Sequence, residues 1–208
     1  MNESRDYVQD IAEIRSMMER SSKFLSLSGL AGVMAGLYAL AGAWIAYSYF
    51  SFRPNRIFYA AIDSGNAIPN LGEVILLALA VLVLAVGTAI FLSHRKAGKR
   101  GEKIWNATSR RLVGSMAVPL LAGGILILIL VSKGGVGLMA PLTLLFYGLA
   151  IYNTSKYTYG EMKFLGLIQI ALGLLGSWFV TYGLLFWAIG FGLVHILYGI
   201  YMHYSYDG

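Results

Sequence analysis

Six apolar stretches, residues 24–50, 71–93, 112–132, 136–155, 162–179 and 182–205, leave this chain few ways to fold. Each is close to the ~17–25 residues that a helix needs to cross ~30 Å of hydrocarbon. The cations follow the same division. When the connections are assigned alternately to two sides, one side keeps only Arg53, Arg56 and Lys133 of the 16 Lys and Arg residues, and the other collects the rest. Such a bias sets orientation in a bilayer and places both termini in the cytoplasm. The expected fold is an all-α polytopic bundle of six transmembrane helices.

Composition supports the same reading. With 58% hydrophobic and 12% charged residues, the chain has too little polar surface to clothe a water-soluble globule of this length. The first 23 residues lack the short apolar core and small-residue cleavage site of a signal peptide, so the first span is expected to act as an uncleaved anchor. Cysteine is absent, which excludes disulfides, thiolate metal sites and cysteine nucleophiles.

Residues 1–23 read as a cytoplasmic amphipathic helix, since Tyr7, Ile11, Ile14 and Met18 recur at helical spacing among acids and bases. Between the second and third spans, Arg95, Lys96, Lys99, Arg100, Lys103, Arg110 and Arg111 form a basic cluster beside the membrane. Anionic lipid head groups on the cytoplasmic face are its expected partners, rather than nucleic acid. On the other side, the connection over residues 51–70 carries the turn signals Pro54, Gly65 and Pro69. Asn106-Ala107-Thr108 and Asn153-Thr154-Ser155 match the glycosylation pattern but fall on the cytoplasmic side, so they are read as chance matches.

Small residues mark the helix contacts, because in lipid close backbone approach replaces the hydrophobic drive. The first span offers the ladder Ser28, Gly32 and Gly36. The fifth offers Gly166 and Gly173, and the sixth offers Gly183, Gly190, Gly192 and Gly199. These faces suit packing within one chain or a homo-oligomer interface.

Ionisable groups within the spans are scarce. His195, deep in the sixth span, and Gln169, near the middle of the fifth, are the polar candidates there, and Glu73 opens the second span. At 1.5 Å per residue His195 is expected about a turn deeper than Gln169, so that contact needs a shifted register or a water. The bland role for His195 is a neutral hydrogen-bonded residue. The functional roles are a polar ligand cavity, a proton-sensitive gate or a haem ligand paired with His94 or His203. Glu73 reads as a solvated residue favoured by the helix dipole. No nucleophile–base spacing, metalloprotease motif, phosphate-binding loop or dinucleotide fingerprint is present, so no catalytic or metal residue is assigned and no cofactor is expected.

The run Met18-Glu19-Arg20-Ser21-Ser22-Lys23-Phe24-Leu25-Ser26-Leu27-Ser28-Gly29, then Ala39-Leu40-Ala41-Gly42-Ala43, Gly160-Glu161 and the Gly183 to Gly192 stretch, resembles an uncharacterised group of small bacterial six-span inner-membrane proteins. The resemblance implies a bacterial inner membrane and transfers no site residue. The expectation is therefore a non-enzymatic sensor, accessory or assembly component, working alone, as a homo-oligomer or with a partner membrane protein. The rivals are a small channel or transporter with a path past Gln169 and His195, and a haem-binding or lipid-modifying protein.

Overall fold

A computed structural model of the protein describes residues 23–53, 70–99, 101 and 103–207. Apart from Lys23, the amphipathic helix expected over residues 1–23 lies outside these residues, as do Arg100 and most of the 51–70 connection. Among the described residues every regular element is helical, with no strand. The long helices are α1 (Gly29–Ser48), α2 (Leu71–Lys99), α3 (Ala107–Ser132), α4 (Met139–Thr154) and α5 (Met162–Trp178). A composite α6 follows, made of α-helical Gly183–Trp187, π-helical Ala188–Val194, α-helical His195–Met202 and π-helical His203–Asp207.

Five helical segments, Gly29–Ser48, Leu71–Lys99, Ala107–Ser132, Val136–Tyr157 and Val180–Tyr206, are long and apolar enough to cross a membrane. Met162–Trp178 is a shorter apolar helix of 17 residues. The apolar window of α2 buries none of its residues inside the protein, and that of α3 only 6%. Surfaces of this size and apolarity are satisfied by lipid, not water.

Local chemistry sets the helix ends. Asn106 caps α3: its Oδ1 accepts the Ser109 N–H at 2.9 Å while Ser109 Oγ accepts the Asn106 N–H at 2.8 Å, a reciprocal pair that satisfies donors the helix leaves open. The expected start at residue 112 therefore moves back to Ala107. Pro141 falls in the first turn of α4, where its missing N–H has no helical acceptor to lose.

The packing order runs α2, α1, α6, then the α4–α5 hairpin, with α3 on the outside of α4. Consecutive helices α2 and α3 thus lie at opposite ends of the array. Single polar contacts fix the outer members. Tyr38 and Thr88 hydroxyls pair at 3.3 Å between α1 and α2, and Asn153 Nδ2 donates to Ser115 O at 3.0 Å between α4 and α3. Asn153, one of the two glycosylation matches, thus has a packing role. Asn106, the other, is a cap.

One expected boundary is corrected. The first apolar stretch was expected to be helical from residue 24, but α1 begins at Gly29. Residues Phe24 to Ser28 run outside the helix because neighbours take their backbone groups. Phe24 N–H donates to Tyr157 O at 2.7 Å, and Thr158 Oγ1 donates to Phe24 O at 2.9 Å. Tyr159 OH donates to Leu25 O, and Lys96 Nζ donates to Leu27 O at 2.7 Å and to Tyr159 OH at 3.2 Å. The segment is clasped by the α4–α5 connection and the end of α2.

Candidate functional site: a buried tyrosine–histidine–glutamine cluster

Where α4, α5 and α6 meet, small residues bring their backbones close enough for polar side chains to join. A Cβ added at Gly148 in α4 would lie 2.8 Å from Gly166 O and 2.9 Å from Gln169 Cβ, and one added at Gly173 would lie 2.6 Å from Leu145 N. The pairs Gly148 with Gly166, Leu145 with Gly173, and Pro141 with Gly176 run in opposite directions along the chain, so α5 lies antiparallel beside α4 over its length. Gly166 and Gly173 were legible from their spacing. Gly148, their counterpart, was not.

This close packing buries Gln169 completely and leaves His195 only 6% exposed. Gln169 Nε2 donates to Gly190 O at 2.8 Å, and His195 Nδ1 lies 2.9 Å from the same carbonyl. A carbonyl can only accept, so Nδ1 carries the proton and Nε2 is the acceptor. Tyr147 OH, 2.8 Å from Nε2, then donates to it. The Gln169 amide and the imidazole Nδ1 stand 3.3 Å apart as two donors converging on one oxygen. Phe191 stacks on the imidazole at 5.6 Å between centroids and an interplanar angle of 24°, and lies 5.0 Å from the Tyr147 ring.

Sequence spacing offsets Gln169 and His195 by about a turn, yet the two touch directly. The π-helical segment Ala188–Val194 supplies the difference, since its wider turns hold more residues than α-helical ones over the same rise. Gly190 within it approaches Gln169 so closely that a Cβ there would lie 2.6 Å from Oε1. Gln169 Oε1 is buried and has no hydrogen-bond donor among the described residues.

The cluster holds no carboxylate. His195 commits both ring nitrogens, so it offers none to a haem iron without losing a bond, and His94 is exposed near the C-terminal end of α2. His203 is half-buried beside Tyr204. The residues present do not fit a haem, and that expectation is set aside. Among the described residues, no group of three His, Asp or Glu side chains could hold a metal ion.

The remaining expected residues fall elsewhere. Glu73 is exposed in the first turn of α2. Ser28 precedes α1 without making a side-chain cap. Gly32 and Gly36 press α1 onto α6, where a Cβ at Gly32 would lie 3.1 Å from Gly199 Cα and one at Gly36 2.6 Å from Gly192 O. Gly192 in turn faces Leu40, and Gly183 faces Pro141. Arg95, Lys99, Lys103, Arg110 and Arg111 are exposed. Lys96 is a correction to that cluster: its ammonium is turned inward onto Leu27 and Tyr159, because two oxygens of the clasp replace its water. Sequence reasoning also missed Tyr147, which read as one apolar aromatic among many.

Comparison with family models, curated proteins and solved structures gives no match for this chain.

Proposed function

We propose that this chain is a six-span integral protein of the bacterial inner membrane, with both termini in the cytoplasm, that works as a non-enzymatic sensor, accessory or assembly component. Five apolar helices meet the length for crossing, and α5, at 17 residues, runs antiparallel along α4 through the same depth. Counting α5 as a span puts Lys156 and Lys163 on the same side as the Arg95 to Arg111 cluster, in keeping with the positive-inside bias.

The observation that carries the non-transporting role is the closure of the buried cluster. Tyr147, His195, Gln169 and the Gly190 carbonyl bond to one another, with no acid among them. A proton relay needs groups that take up and release protons along a continuous route, and such groups in hydrocarbon come with partners or water. Here the polar contacts tie three helices into one register. The exposed faces of α2 and α3 remain for lipid or for a partner membrane protein.

The channel or transporter reading keeps one supporting feature, the buried and unpartnered Gln169 Oε1. The two readings separate in proteoliposomes. No flux of protons, potassium or sodium above protein-free vesicles is expected, and flux that disappears in His195→Ala would establish the transporter instead. Reporter fusions at residue 102 test the orientation, with cytoplasmic activity expected and periplasmic activity overturning it.

A further inference from the structure

At the outer half of the array lies a half-enclosed hollow of about 100 Å³, separated from the polar cluster by the Trp187 and Phe191 rings, which stand 5.2 Å apart. Small residues create it. Gly42, Ala43 and Ala46 of α1, Ala78 of α2 and Ala140 of α4 leave space that Phe52 and Trp187 border. The lining is almost wholly apolar, and its hydroxyl, on Thr143, is already donated to Ala140 O at 2.7 Å. A polar ligand entering here would lose water and find no partner. An apolar one loses nothing.

We infer that this hollow takes a short segment of one acyl chain of an outer-leaflet phospholipid, the rest of the chain lying in the bilayer, with its phosphate drawn to Arg53. The inference rests on the membrane-spanning reading above, because the medium outside the hollow is then hydrocarbon. Depth agrees: the lining residues of α2, Val74 to Val81, fall roughly 5–15 Å below the outer end of that helix at 1.5 Å per residue, the zone of upper acyl chain. Charge agrees as well. Arg53 follows the bordering Phe52, is exposed, and stands 5.2 Å over the Tyr47 ring, a stacking that is compatible with N–H bonds to an anion in the guanidinium plane. Arg53 is one of only three cations on the outer side. Tail and head group thus meet complementary surfaces in the order that a lipid presents them.

Trp187 reports on the occupant. In a variant retaining it as the only tryptophan (Trp44→Phe, Trp105→Phe, Trp178→Phe), reconstitution into phosphatidylcholine brominated at carbons 6 and 7 is expected to quench its fluorescence at least twofold relative to unbrominated lipid. Filling the hollow with Ala78→Leu, or separately with Ala140→Leu, is expected to remove most of that quenching. Native mass spectrometry from mild detergent is expected to retain one phospholipid per chain, with retention reduced severalfold in Arg53→Gln. Quenching that both filling variants leave unchanged while they keep the parent melting temperature would overturn the inference, as would an unquenched Trp187. Resistance of the protein to carbonate extraction from membranes reports insertion separately, so failure of the spanning reading is distinguishable from an empty hollow.

Discussion

Gly190 lies directly beneath the Gln169 amide, where a side chain of even one carbon would meet Oε1 at 2.6 Å and Leu144 Cδ2 at 2.5 Å. The position serves as acceptor and as spacer at once, since its carbonyl takes the bonds from Gln169 and His195. Gly190→Ala is therefore expected to cost about 1–3 kcal/mol through overpacking of a site that cannot relax without breaking those bonds. Thermal unfolding in detergent measures this. A melting temperature equal to that of the parent would mean that the close approach is not a constraint.

The Tyr147 and His195 pairing is open to a double-mutant cycle. Tyr147→Phe removes the donor and His195→Ala the acceptor. Hydrogen bonds between helices in a membrane couple by about 0.6 kcal/mol on average and reach about 1.7, so a coupling in that range is expected from reversible unfolding in denaturing detergent. Strict additivity of the two losses would contradict the bond.

Gly32 and Gly36 press on α6 of their own chain. Gly36→Leu is expected to destabilise the fold by about 3 kcal/mol, as an overpacked helix contact does, without changing the mass of the detergent-free particle. A change of subunit number at unchanged stability would show that the ladder serves an interface between copies.

Lys96 and the arginines near it are expected to differ in kind. Lys96→Met leaves the Leu27 carbonyl without its donor and is expected to cost about 1–3 kcal/mol. Stabilisation by added phosphatidylglycerol should persist in that variant. The exposed pair Arg110 and Arg111 should behave in the opposite way: changing both to Gln keeps the parent stability and weakens the lipid effect. Equal loss of the lipid effect in both variants would remove the distinction.

The apolar helices were legible because hydropathy over ~20 residues is insensitive to detail. Their ends were less so. Phe24 to Ser28 is as apolar as a helix start, and donors from Thr158, Tyr159 and Lys96, distant in the chain, draw its carbonyls away from a helical ladder. Asn106 was read only as a glycosylation match, and its reciprocal cap with Ser109 moves the start of α3 into what had been read as the connection carrying Arg110 and Arg111. Gln169 and His195 stood out as polar groups in apolar surroundings. Their contact did not, because an ideal rise per residue has no means to anticipate the π-helical turns of Ala188–Val194. Tyr147 carried no signal at all, since an aromatic residue in a membrane helix gains its meaning from the partner that it meets.

The placement of α6 between α1 and the α4–α5 hairpin has a consequence for assembly. Translation delivers α1 and α2 as one pair and α3 to α5 as another group before the segment that packs between them exists. Until residues 183 to 207 emerge, the glycine face of the first helix is open to lipid and to quality-control proteases. A ribosome stalled shortly before Gly183 would leave two groups hinged at the clasp of the α4–α5 connection on Phe24, Leu25 and Lys96, and synthesis of residues 183 to 207 packs them into one body.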